Sequence, residues 1–157
     1  MLRPLVLLCC ALACSPVRAQ AILKLWDPAY VSVRPGASVE IILIAEVQGG
    51  YAVIAHDAED SMLQPLTLRF RPLRQVVVGT PRYPAGQLTH VDADRRKVSA
   101  HMGRLQIAVP VTVSKQAQAG ELMLLGDLRF QACVELRCSA TRTLPVNLTL
   151  DVLPATR

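Results

Sequence analysis

The feature that most constrains this chain is apolar alternation with a period of two, repeated in one segment after another. In "SVEIILIAEV" Val39, Ile41, Leu43, Ala45 and Val47 share one face, as successive side chains of a strand point to opposite sides. Ile42 and Ile44 make the other face apolar as well and predict a strand covered on both sides. "GGYAVIAH" continues after a Gly49-Gly50 turn, and "PLTLRFRPL" sets Leu66, Leu68 and Phe70 against Thr67, Arg69 and Arg71. "RLQIAVPVTV" aligns Leu105, Ile107, Val109, Val111 and Val113, with Pro110 predicting an edge strand or a bulge because it has no N–H for a ladder. "ELMLLGDLRFQAC" and "TLPVNLTLDVL" complete the set, the latter aligning Leu144, Val146, Leu148, Leu150 and Val152. No segment carries a convincing 3.6-residue period, and "VSKQAQAGE" suits one helical turn or a loop equally well. Aromatics make up 4% of the chain while apolar residues make up 52%, so the core must be built from Val, Leu, Ile and Ala, which suit strands. The expected fold is all-β: an antiparallel, immunoglobulin-like β-sandwich whose two sheets bury their alternating faces against each other. Residues 77–103 are the longest stretch without strand character and read as a loop of the length that usually serves function.

The start of the chain has a different character. Arg3, an apolar core from Leu5 to Ala13 and "SPVRAQ", with small residues at Val17 and Ala19, read as a secretory signal peptide over residues 1–19. Residues 20–157 then form one domain, and the apolar run is too short for a membrane anchor. "ALAC" offers an alternative in which Cys14 carries a lipid, the one route by which membrane attachment is expected. The whole chain has a net charge of +5, which falls to +3 without Arg3 and Arg18. That charge is mild and dispersed, which argues against nucleic acid as a partner.

Of five cysteines, Cys9, Cys10 and Cys14 lie in the leader, which leaves Cys133 and Cys138 in "FQACVELRCSA" as an exported, disulfide-capable pair. With Cys133 ending one strand and Cys138 beginning the next across the hairpin loop "VELR", the sulfurs face each other within bridging distance. A bridge closing so short a loop adds modest stability, which tilts the reading toward redox chemistry while leaving a structural staple open. Zinc is the third reading. It needs two further ligands, and His56, His90 and His101 lack the paired spacing of such sites.

The stretch "GDLRFQACVELRCSATRTLPVNLTL" resembles the active-site hairpin of the N-terminal periplasmic domain of DsbD, the bacterial thiol:disulfide interchange protein. "VRPGASVEIILIAEVQGGYAVIAH", "QPLTLRF", "PRYPAG" and "VPVTVSKQAQAGELML" resemble other parts of that domain in the same order, so nearly all of residues 20–157 is covered. The resemblance implies an immunoglobulin-like fold, a periplasmic location and a catalytic pair. In that pair Cys138 forms mixed disulfides with partners and Cys133 resolves them. No cofactor is implied, since exchange needs only access and a suitable thiol pKa. Arg137 would favour a thiolate at Cys138, and Glu135 would oppose it.

Three departures qualify the likeness. The prolines that usually follow the second cysteine are absent from "CSATRTLP" until Pro145. The family shields its disulfide with a cap containing an acidic-aromatic run, whereas "THVDADRRK" keeps Asp92 and Asp94 without an aromatic. His90, Asp92 and Tyr83, the nearest aromatic, are therefore the candidate neighbours of the sulfurs, the alternative being that they are plain solvated loop residues. The interchange protein also continues into membrane and thioredoxin domains, whereas this sequence stops at Arg157. The expected partners are thus thioredoxin-fold periplasmic proteins and a separate membrane reductase. The rival expectation is a non-catalytic immunoglobulin-like binding module whose disulfide is structural.

Overall fold

The computed structural model describes residues 21–26, 30–90, 96–135 and 137–155. The expected leader, the lipid-bearing alternative at Cys14 and the candidate neighbour Asp92 lie outside these residues. Thirteen strands follow in chain order. They are β1 (Leu23–Leu25), β2 (Val31–Val33), β3 (Ser38–Val47), β4 (Tyr51–Ile54), β5 (Thr67–Phe70), β6 (Val76–Val78), β7 (Gln87–His90), β8 (Lys97–His101), β9 (Arg104–Val113), β10 (Gly120–Phe130), β11 (Ala132–Val134), β12 (Arg137–Cys138) and β13 (Arg142–Val152).

One sheet has the order β1-β3-β9-β6 and a second the order β2-β13-β10-β5. Neighbours are antiparallel apart from β2, which runs parallel to β13. The inward positions of β3 and β9 (Ile41, Leu43, Ile107, Val109) join those of β10 and β13 (Leu124, Leu128, Leu148, Leu150) in one continuous apolar core. The expected all-β, immunoglobulin-like sandwich is the fold. Alternation dictates it, since each of these strands buries every second side chain.

A third sheet, β12-β11-β4-β8-β7, extends from one end of the sandwich. Two main strands feed it: β3 turns through Gly49 and Gly50 into β4, and β10 passes through Gln131 into β11. Gly50 has φ +86°, a left-handed conformation that favours glycine at this turn. The sheet has its own small core of Ile54, Val98 and Cys133, against which Ala58, Leu63 and Cys138 pack.

Two sequence expectations are corrected here. Residues 77–103 are not one long loop, because β7 and β8 form a hairpin within them. Pro110 does not mark an edge strand, because β9 is interior and Pro110 lies opposite Glu40 of β3. The expected bulge lies on the neighbouring segment, where the register slips by one residue from Val78 opposite Val111 to Arg82 opposite Ala108. The carbonyl of Pro110 accepts from the Gly79 N–H at 2.8 Å, and a strand residue's N and O point the same way. The missing donor therefore faces Gly79, so this pair makes one bond in place of two just before the register slips, a position where a proline is tolerated.

Candidate functional site

The cysteine hairpin is tighter than the sequence implies. Val134 pairs with Arg137, so the strands pair further into the hairpin than the four-residue loop expected allows. Glu135 takes φ +46°, a left-handed conformation that costs a residue with a Cβ about 1–2 kcal/mol. The Ser139 N–H donates to the Ala132 carbonyl at 2.8 Å, which makes 132 and 139 a hydrogen-bonded pair. Cys133 and Cys138, one step along, form a non-hydrogen-bonded pair, the arrangement that brings opposed side chains closest. They are joined by a disulfide with Cα atoms 3.9 Å apart.

The two sulfurs have unlike surroundings. Cys133 is 3% exposed and belongs to the small core, with Ala52 of β4 directly opposite. Cys138, on the two-residue strand β12 at the sheet edge, is half-buried. A cleft of about 250 Å³ opens beside Cys133, lined in part by Ala52, Thr89, His90, Met102 and Glu135. The structure therefore brings His90 into the same cleft as Cys133. Tyr83 is held elsewhere. Its ring stacks on His56 with centroids 4.0 Å apart, and its hydroxyl oxygen accepts the Leu68 N–H at 2.7 Å. Burial raises the Tyr83 pKa, which keeps that hydroxyl neutral.

Several residues around the pair escaped sequence reasoning. Ala58 and Leu63, on the loop that follows β4, pack over the small core. The Asp57 carboxylate on that loop accepts from Ser99 Oγ at 2.6 Å and from the Gly86 N–H at 3.3 Å. The Ser99 hydrogen bond is the main cause of a lowered Asp57 pKa, to which the Gly86 N–H and nearby His101 also contribute. Gly86 is needed here, because a Cβ would fall 2.2 Å from Ser99 Oγ. His101 of β8, opposite Val53, is 5% exposed, and its Nε2 has no hydrogen-bond partner. Burial depresses its pKa, and the nearby Asp57 charge opposes that shift in part. Small residues at Ala55, Ala58 and Ala100 flank these polar groups in the sequence, a weak signal of close packing that strand periodicity does not register.

No family model matches the sequence, and neither does any curated protein. Solved structures superpose on this chain at low identity and low TM-score. The N-terminal periplasmic domain of ScsB from Proteus mirabilis superposes with a TM-score of 0.46 and 12% identity, over 76% of this chain and 43% of that one. This chain thus spans less than half of that domain's length. AggA, the major subunit of aggregative adherence fimbriae type I from Escherichia coli, gives 0.45 and 11%, over 83% of this chain and 93% of that one. The PapD-like domain 7 of human CEP192 gives 0.37 and 11%, over 86% and 87%. At these scores the likenesses assign no function to this chain.

Proposed function

We propose that this chain is a periplasmic thiol:disulfide carrier that passes reducing equivalents between thioredoxin-fold partners through Cys133 and Cys138. The observation that carries the reading is the asymmetry of the disulfide: Cys133 is buried in the small core, and Cys138 is half-buried on an edge strand. An incoming thiolate must reach one sulfur and displace the other. The greater exposure of residue Cys138 supports it as the sulfur attacked and Cys133 as the one left behind.

The exchange then balances in two steps. A thiolate of a partner's reduced Cys-x-x-Cys motif attacks Cys138 Sγ. The bond to Cys133 breaks, and its electron pair leaves on Cys133 Sγ as a thiolate. The partner's second thiolate next attacks the partner sulfur of the mixed disulfide and releases Cys138 as a thiolate. Two electrons have moved, leaving the partner oxidised and the hairpin reduced. The reverse sequence hands them to a second partner, and a separate membrane reductase renews the supply. Stability alone is a weak reason for this disulfide. A sequence separation of 5 confines the unfolded chain little, worth about 2 kcal/mol against about 4.7 for a 100-residue loop.

Trapping tests both the exchange and the assignment of roles. A Cys133→Ala variant has no resolving sulfur, so a mixed disulfide at Cys138 is expected to persist on a non-reducing gel, its adduct a thioredoxin-fold protein. Cys138→Ala is expected to trap much less. Equal trapping would cancel the assignment of roles. No adduct from either variant, with wild-type chain stable and exported, would end the carrier reading.

One observation favours a second reading, a non-catalytic binding module whose disulfide is structural. Strand β7 is an edge of the small sheet and leaves Leu88 73% exposed, as a surface for strand addition would. Such a module keeps its partner when both cysteines become serine, whereas the carrier loses its activity.

A further inference from the structure

Gln131 is the single residue between β10 and β11, where the chain leaves the sandwich for the small sheet. Its backbone carbonyl accepts from the Ile54 N–H at 3.0 Å. Its side-chain amide is engaged at both ends. Oε1 accepts the Gln64 N–H at 2.7 Å, and Nε2 donates to the Ser139 carbonyl at 2.9 Å. Ser139 follows Cys138 directly. Gln64 closes the far end of the 55–65 loop, which lays Ala58 and Leu63 over Ile54, Val98 and Cys133.

The near part of that loop is fastened to the β7–β8 hairpin, by Asp57 to Ser99 Oγ and the Gly86 N–H, and by the Asp60 carboxylate to Arg96 at 2.7 Å. Its far part is fastened by the Gln131 amide, which holds the strand after Cys138 at the same time. A side-chain amide offers an acceptor and a donor on one planar group. No aliphatic or carboxylate side chain of that length supplies both.

We infer that Gln131 is a positioning residue that couples the 55–65 loop to the cysteine hairpin and so holds that loop as a cover over the Ile54 side of the disulfide. The inference deepens the exchange reading and rests on it only for the reaction that the cover controls. The covering itself follows from the hydrogen bonds and the packing of Ala58 and Leu63. A nucleophile approaching from that side must wait for the loop to lift, and lifting breaks the bond between Gln64 and Gln131. Local openings of this kind are governed by the few contacts they break.

The test is the second-order rate at which dithiothreitol reduces the folded, oxidised chain, read as free thiols in samples quenched by alkylation. Gln131→Ala removes the fastening and is expected to raise that rate about fivefold, the population change that one net hydrogen bond supports. Leu63→Ala leaves the amide in place, thins the cover and is expected to raise the rate as well. A residue that served stability alone would lower the urea midpoint without changing the reduction rate in the absence of denaturant.

An unchanged rate in folded Gln131→Ala would overturn the inference. Should that variant fail to fold, an unchanged rate in Leu63→Ala would overturn it instead. A reduced thioredoxin-fold protein, used as a second reductant, separates the cover from the carrier. Faster reduction of the variants by dithiothreitol, with no exchange between wild type and the protein reductant, keeps the cover and ends the carrier reading. Wild-type exchange with the protein, with equal dithiothreitol rates in all variants, does the reverse.

Discussion

The sandwich and the small sheet share two continuous strand paths, yet they are stabilised on different scales. In the sandwich Ile41, Leu43, Ile107, Leu124, Leu128, Leu148 and Leu150 are all at most 2% exposed and meet in one core. In the small sheet Ile54, Val98 and Cys133 form a separate small cluster with Ala58, Leu63 and Cys138 half-buried around it, while Val53 and Ala132 of the same sheet join the sandwich core. Burial of apolar area is the main favourable term in folding, so the sandwich carries the stability. The disulfide lies in the smaller cluster, where a local opening breaks fewer apolar contacts than one in the sandwich core would. The difference teaches that the disulfide sits in a smaller cluster beside the main core, which Ala132 and Val53 of the same sheet still join.

The largest expected effect breaks the sandwich side of this comparison. Leu148→Ala empties a fully buried position on β13 in the core of the sandwich, and a loss of about 3–5 kcal/mol is expected from the urea midpoint and slope. A loss below about 1 kcal/mol would show that stability is not concentrated there. Next comes the small sheet. Replacing Cys133 and Cys138 together by serine is expected to cost about 2 kcal/mol while the far-ultraviolet circular dichroism stays that of a β protein. Global unfolding of that variant at room temperature would mean that the small sheet supports the sandwich and would reverse the comparison.

A smaller effect of opposite sign sharpens it. Glu135 holds φ +46° with a Cβ in the way, so Glu135→Gly is expected to stabilise the chain by about 0.5–1 kcal/mol. Equal or lower stability by thermal melting would show that the turn is not strained. The smallest effect concerns pH. His101 has its pKa lowered below the ordinary 6.5 by burial, so between the two values the unfolded chain binds the proton first. Stability is then fully present above about 6.5 and falls as pH drops through the folded-state value. Urea midpoints at pH 7.5 and 5.5 check it, with His101→Gln expected to flatten the difference. An identical pH dependence in that variant would remove His101 as its source.

The long strands were legible because their alternation is strong: the inward faces read for β3, β9 and β13 are the faces that are buried, although Ile42, on the second face of β3 expected to be covered as well, is exposed. The small sheet was much harder to read. "QLTH" and "KVSAH" bury little apolar area per residue, and only Val98 and Ala100 mark an inward face in β8. Such strands are held by their neighbours, and their own pattern is weak. The pairing of Cys133 with Cys138 was legible as a possibility from spacing. The tight closure of the hairpin was not, because "VELR" carries no Gly or Asn of the kind that announces such turns.

What the sequence by itself determined is which side chains along each long strand face inward, because the two-residue period belongs to the backbone and needs no partner to be read. The tertiary structure alone decided which strands became neighbours. It placed Pro110 in an interior strand at the point where β6 ends, buried His101 opposite Val53, and brought His90 into the cleft beside Cys133. It also brought Gln131 between Gln64 and Ser139, residues 75 positions apart in the chain. The physical reason is that local alternation specifies a face but not a partner, and partners are chosen only when whole sheets pack.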